Sequence, residues 1–456
     1  MPSVLRPLRR LIRKWAPGAG GPKPPAPCAP ANLDAELRAL ELQRQTSPRP
    51  HEVNAQMNEL ERQAGREELR SYPVYAAVNL IGACNARCRF CYYGDSPQDR
   101  SVLRLADVRR MPWLRFLSTL DLYGGLGEPL LLDDFPAIVD WLRQQNPSQR
   151  LHTTSNGSLL TPALSQRLAG RLSLLNISIN AATPETYENL MIGLSWSRLM
   201  ENIERFQEIN QAQQQPTELT FSYVCSRANV AELPKLAEIA RRLGVKTVGV
   251  SHFCVNGVWE KRQREQPRLS RQDTLYFHRE LFDRGMDEAE AAFQRAGVPF
   301  GHPPRFAAAT KIGLGGRMPA GRPDAVECFA PWQTVYVNPH QQGKWVSCCC
   351  SVNADHHDLT PLDLDDTDFL RTWNSDVFRL MRREVNRRPC PLINCEFCRR
   401  WDKSSPEASV PQLEMTLAST RQYHQLLGRP MADSVEESLA DRRQRIEELQ
   451  AGENSL

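Results

Sequence analysis

The chain has 456 residues, and its 57 basic and 53 acidic side chains leave a formal charge of only +4, so nucleic-acid binding through bulk charge is not supported. With 41% hydrophobic and 24% charged residues it has the composition of a globular protein long enough for two or three domains, or for one large α/β barrel with appendages. No run of about 18 apolar residues is present, and arginines interrupt the apolar positions of MPSVLRPLRRLIRKWAPG too often for a signal-peptide core, so the expected location is cytoplasmic.

Residues 1–32, basic and then rich in Pro, Gly and Ala, have too little to bury and read as a disordered tail; Leu5 to Trp15 could touch an anionic membrane as an amphipathic helix, a solvated tail being the simpler reading. Residues 33–73 form a helical extension, with helices from Asn32 and Asp34 to about Arg44 and from His51 to Arg70. Between 74 and 255, short β-rich runs alternate with helical periodicity. Strands are placed at 74–81, 119–124, 151–155, 174–180, 218–225 and 246–252. Helices lie near 104–116, 134–145, 161–169, 184–212 with a break at Gly193, and 231–243 with Gly244 as its C-terminal stop. Six βα units in a row predict a parallel α/β sheet, curved or barrel-like, whose ligand chemistry belongs at the carboxyl ends of the strands. Residues 256–324 read as a connector, a long polar helix near 270–296 and a Gly/Pro-rich loop; 325–403 as a cysteine-rich unit with a hairpin from Thr334 to Ser347 and a helical segment near 366–387; and 404–456 as a polar helical tail.

Ten of the 13 cysteines occupy two windows, three between 84 and 91 and seven between 328 and 398. That clustering, in a chain expected where thiols stay reduced, points to metal or cluster ligation rather than to disulfides. Cys84, Cys88 and Cys91 have the spacing C-x3-C-x2-C in the loop after the first strand. Three thiolates can hold a [4Fe–4S] cubane and leave its fourth iron open to a substrate or cofactor, whereas a zinc site normally wants four ligands.

The run CNARCRFCY, with Phe90 before the third cysteine, resembles the signature of the radical S-adenosylmethionine (SAM) enzymes. The resemblance implies that Cys84, Cys88 and Cys91 hold a SAM-binding [4Fe–4S] cluster, reduced by a flavodoxin- or ferredoxin-type donor, and that SAM is cleaved to a 5′-deoxyadenosyl radical that abstracts hydrogen from substrate. YGGLGEPLL resembles the family's glycine-glutamate motif and would set Gly124, Gly125, Gly127 and Glu128 along the methionine part of SAM. TTSNGSLL and SINAATPETYENL resemble the next family segments, with Ser178 and Asn180 at the ribose position; capping of the following helix is an equal reading for Asn180. The implied fold is a partial (β/α)6 barrel over 74–255.

In the second window the pattern C-x14-G-x4-C from Cys328 to Cys348, followed by C-x4-C-x2-C at Cys390, Cys395 and Cys398, resembles the SPASM/twitch extension of the same enzymes. This implies one auxiliary [4Fe–4S] cluster on Cys328, Cys348, Cys395 and Cys398, with Cys349, Cys350 and Cys390 left over and a zinc knuckle as the alternative. Cys225 and Cys254 end strands five and six, with Tyr223 and His252 nearby, and are candidate hydrogen donors to a substrate radical; a buried small hydrophobe is the plainer role for such a thiol. The substrate expected is a ribosomally made peptide or protein, or else a sugar- or aminocyclitol-like small molecule. A non-catalytic iron–sulfur or zinc protein is the reading from a different class.

Overall fold

The computed structural model describes residues 32–91, 101–122, 127–254, 268–303, 305, 312–313, 316–317, 327–340, 343–348, 360–366, 368–387, 390–400, 409–431 and parts of 433–447. The disordered-tail reading of the N-terminus, Gly124, Gly125, Cys349 and Cys350 lie outside the described residues.

Six strands run in the order the sequence predicts: β1 (Tyr75–Val78), β2 (Thr119–Asp121), β3 (Arg150–Ser155), β4 (Leu174–Ser178), β5 (Glu218–Cys225) and β6 (Thr247–His252). Each pairs in parallel with its neighbour, and a short β7 (Phe300–Gly301) follows β6. The two faces of these strands differ in chemistry. Leu151 on β3, Leu175 and Ile177 on β4, and Leu219, Phe221 and Tyr223 on β5 are buried in one apolar core with helix residues such as Val139, Ile203, Phe206 and Leu236. The alternate positions, His152, Thr154, Asn176, Ser178 and Ser222, are polar and half-buried, and they line the opposite, inner face.

The helices start and stop where local chemistry dictates. Thr161 and Thr183 cap the helices Pro162–Leu168 and Pro184–Leu190 through their side chains, each with Pro at the first turn. Gly193, at φ +92°, breaks the predicted 184–212 helix into Pro184–Leu190 and Trp196–Gln211. The predicted 104–116 helix is instead a five-residue helix, Leu105–Arg109, and a separate turn, Pro112–Phe116, because Pro112 cannot continue the first. The connector helix is shorter than predicted, Arg279–Ala296, after two single turns.

The largest departure from the sequence reading concerns the cysteine-rich unit. A two-residue ribbon, β8 (Ile312–Gly313) and β9 (Gly316–Arg317), precedes the predicted hairpin, which forms as β10 (Thr334–His340) and β11 (Gly343–Ser347). It does not stand apart: β10 pairs in parallel with β1, Tyr75 opposite Thr334 and Val78 opposite Val337, so one nine-stranded sheet runs β11-β10-β1-β2-β3-β4-β5-β6-β7. The boundary expected near residue 325 is therefore not a break in the sheet.

The extension at 33–73 is tied to the same region. Helices Leu33–Thr46 and Pro50–Gln63 pack on each other through Leu37, Leu40, Val53 and Met57. Buried polar groups then reach across: Asn58 Nδ2 donates to the Trp332 carbonyl at 2.6 Å, and Asn374 brackets the backbone of Leu69 from both sides. Arg382, buried, donates to the carbonyls of Glu67, Pro331 and Trp373 and lies over the Trp373 ring, so one side chain fastens three segments. Among the described residues no helix is long and apolar enough to cross a membrane.

Candidate active site

The loop after β1 carries Cys84, Cys88 and Cys91, and it is fastened to the segments that follow three neighbouring strands. The Ala83 carbonyl accepts from Glu128 N at 2.8 Å, beyond β2. Asn156 Nδ2 donates to Asn85 Oδ1 at 2.9 Å and Asn85 Nδ2 donates to Ser158 Oγ at 2.8 Å, which ties the loop to the TTSNGSLL segment beyond β3. Arg87 N and Arg89 N donate to the carbonyls of Ile192 and Leu190, beyond β4. Asn85, a motif residue with no assigned role in the sequence reading, is thus a clasp.

Gly127 is required by this packing. A Cβ built there would sit 2.3 Å from Ala83 O and 2.5 Å from Ile81 O, so the glycine exists because the cysteine loop's own backbone lies against it. Glu128 is 2% exposed. Its carboxylate accepts from Ser155 Oγ and Asn156 N, both at 2.7 Å, and from Leu130 N at 3.1 Å, while burial pushes its pKa up. These bonds lock the segment after β2 to the end of β3 behind the loop.

Ser178 faces the inner side of the sheet, its Oγ 3.4 Å from Ser222 Oγ. Asn180 is the residue other than glycine with positive φ, +51°, among the described residues. Its Oδ1 accepts from Val224 N at 2.6 Å, its Nδ2 lies 3.3 Å from Met191 Sδ, and Met191 Sδ lies 3.5 Å from Cys88 Sγ. The ribose-contact expectation for Asn180 therefore meets a buried side chain engaged by β5 and by the residue beneath Cys88, and the helix-capping alternative fails because Thr183 is the cap.

The candidate hydrogen donor Cys225 needs correction. It is fully buried on the helix-packed face of β5, with Phe221 and Tyr223, and burial raises its thiol well above the ordinary range. Tyr223 donates to the Asn229 carbonyl at 2.7 Å on that same side, and His252 packs on Phe282. Period-two alternation explains the difference: Ser222 and Val224, not Tyr223 and Cys225, face inward. Cys254 is exposed, its thiol 3.5 Å from the His252 carbonyl.

Three site residues escaped the sequence reading. Asp121 and His152 are direct partners in the β2–β3 register, both on the inner face. Burial raises the Asp121 carboxyl to about 6, with the Tyr75 hydroxyl 3.4 Å away, and burial followed by Arg150 lowers His152 to about 4. Their atoms Asp121 Oδ1 and His152 Nε2 are buried without hydrogen-bond partners in the structure. The only signal for Asp121 was a charge inside the apolar run TLDLYG. The third is Arg268, a buried side chain that donates to the Cys91 carbonyl.

The donor set of the loop fits a cluster. Protein packed around the Cys84 thiol raises it to about 11 although the residue as a whole is exposed, and the Cys88 thiol is raised by burial and then by Cys91 and Cys84. Three cysteine thiols carried by one short loop are a donor set for three irons of a cubane. In the second window, Cys348 and Cys390 are buried in the main core, and Cys328 and Cys395 pack partly buried against it. Asn386 grips the backbone of Cys328 at 2.8 and 3.1 Å, and the Cys390 thiol lies 3.6 Å from the Glu384 carbonyl.

Comparison with known proteins agrees with this geometry. Residues 78–213 match the Radical SAM superfamily. A probable GTP 3′,8-cyclase of Methanococcus maripaludis is 23% identical over 189 residues, 41% of this chain and 59% of the relative. One from Saccharolobus solfataricus is 30% identical over 175 residues, 38% of this chain and 54% of the relative, so the chain spans little more than half the length of these curated relatives. Streptococcus suis SuiB bound to S-adenosylmethionine superposes with a TM-score of 0.52 at 16% identity, over 76% of this chain and 77% of SuiB. His-tagged anSMEcpe with bound AdoMet gives 0.50 at 14% identity, over 81% and 98%. These structural likenesses extend past the barrel and establish the fold.

Proposed function

We propose that this chain, a radical SAM enzyme by the domain at residues 78–213, abstracts hydrogen from a ribosomally made peptide or protein. The observation that carries the reading is that Cys84, Cys88 and Cys91 share one short loop clasped to the segments that follow β2, β3 and β4. Cys84, Cys88 and Cys91 would hold a [4Fe–4S] cluster that, reduced by a flavodoxin- or ferredoxin-type donor, would supply the reductive cleavage of SAM. The chain's own residues do the rest. Gly127 and Glu128 hold the segment after β2 against the loop, Asn180 and Met191 adjoin Cys88, and Ser178 stands on the inner face for the polar part of SAM; the family resemblance assigns Gly124 and Gly125 to its methionine part. The inner face, with Asp121 and His152, offers hydrogen-bonding groups to a polar substrate. Cys328, Cys348, Cys395 and Cys398 would hold one auxiliary cluster.

The peptide reading is supported by a fold shared with SuiB, which has been captured bound to its precursor peptide SuiA, over 72% of this chain. A second reading, a small-molecule substrate, draws on the GTP 3′,8-cyclase relatives. Anaerobically reconstituted protein given SAM and dithionite should release 5′-deoxyadenosine, and Cys84→Ala should stop it. Roughly eight irons per chain would fit two cubanes. Release stimulated by short peptides encoded beside the gene favours the first substrate reading, release stimulated by GTP or sugars the second, and no release with a full iron complement would overturn both.

A further inference from the structure

Beyond the cysteine ligands themselves, the loop has a charged partner from a distant part of the chain. Leu269 N donates to the Arg89 carbonyl at 3.0 Å, and the Leu269 side chain joins Leu190 and Phe253 in a small apolar cluster against Phe90, the aromatic residue of the cysteine motif. This seating carries Arg268, 9% exposed, onto the loop, where its guanidinium donates to the Cys91 carbonyl. The carboxyl of Glu128, on the segment after β2, also acts on the Cys84 and Cys88 thiols.

A cluster on this loop would place a net negative charge, its three thiolates outweighing the positive iron–sulfur core, in a pocket that already contains a buried carboxyl, and its reduction would add one negative charge more. A guanidinium held at the same spot favours the reduced form, because Coulomb energies are larger where water is excluded. We propose that Arg268 is a positioning residue that counters the charge of the SAM-binding cluster and raises its reduction potential, so that a low-potential donor can deliver the electron. The proposal rests on the radical SAM reading. The step is one electron passing from donor to cluster, with no bond made or broken and no proton moved.

The test uses the full chain, anaerobically reconstituted, as wild type, Arg268→Gln and Arg268→Lys. Iron is counted, and the cluster is titrated with dithionite and mediators while its reduced-state EPR signal is followed. A Cys84→Ala/Cys88→Ala/Cys91→Ala variant titrated in parallel supplies the auxiliary-cluster signal to subtract. Arg268→Gln should keep its iron and make reduction about tenfold less favourable, ~59 mV for a one-electron couple, and Arg268→Lys should restore most of it. An unchanged potential in Arg268→Gln overturns the proposal. So does equal loss of iron from both variants, which would make Arg268 a brace for the loop and nothing more. If the wild type yields no signal beyond the triple variant, the radical SAM reading itself fails, which is a separate result.

Discussion

Gly127→Ala probes the joint on which the cysteine loop rests. The new methyl would lie 2.3 Å from Ala83 O, 2.5 Å from Ile81 O and 2.9 Å from Gly82 C, all backbone atoms of the loop that leads into Cys84. Ordinary contact requires the loop to retreat by about 1 Å. A flexible side chain could swing away, but this backbone is also held by the 2.8 Å bond from Glu128 N to Ala83 O. Overpacking costs ~1–3 kcal/mol, and loss of that bond about 1 kcal/mol more, so a destabilisation of about 3 kcal/mol is expected, roughly a 150-fold fall in the folding constant. Urea unfolding of the apoprotein should show the lower midpoint, and iron counted after reconstitution should fall, since Cys84 moves with Ala83. A variant that unfolds at the wild-type midpoint with full iron would refute the view that Gly127 is a packing requirement.

Three further outcomes follow from the same geometry. Glu128→Ala leaves the Leu130 and Asn156 amides and the Ser155 hydroxyl without their acceptor; about 3 kcal/mol should be lost in urea melts without SAM present, whereas a residue acting only on SAM would leave those melts unchanged. Asp121, raised from 3.8 to about 6, binds its proton more tightly folded than unfolded, so its ionisation cost is absent below pH about 3.8, grows through the interval and is complete above about 6. Asp121→Asn should therefore be more stable than wild type at pH 7, by up to ~3 kcal/mol, with the gap closing toward pH 4; a gap independent of pH refutes this. Cys225→Ala should cost about 1 kcal/mol and leave product formation intact, while Cys225→Ser, which buries a hydroxyl in an apolar setting, should cost ~1–3 kcal/mol; loss of product with normal 5′-deoxyadenosine release would restore Cys225 as a hydrogen donor.

The six βα units were legible because each is a local pattern: an apolar run of one strand's length, a cap or proline, a helical stripe and a glycine stop such as Gly244, whose φ is +64°. The cysteine loop was legible because ligand spacing lies within eight residues. What escaped depends on contacts that spacing does not encode. The union of β10 with β1 is set by a register between segments 259 positions apart, judged by Tyr75 and its partner Thr334, and no local signal marks it. Cys225 was misplaced for a smaller reason: the end of a strand was located correctly, but which face its last side chain takes is a matter of one residue's phase. Arg268 had no motif of its own. Its place follows from Leu269 packing on Phe90, a contact visible only once the chain is folded.

The pairing of β1 with β10 also sets a timetable. β1 leads directly into the cysteine loop, yet its outer edge has no partner until the ribosome has made residue 340. At about 5–20 residues per second, the 259 positions between the two strands take roughly 13–50 s to synthesise, and through that interval the strand beneath the cluster offers open hydrogen-bonding groups to any other chain. Iron delivered before then meets a loop whose supporting strand is still half-paired; a cluster inserted after release meets a finished sheet.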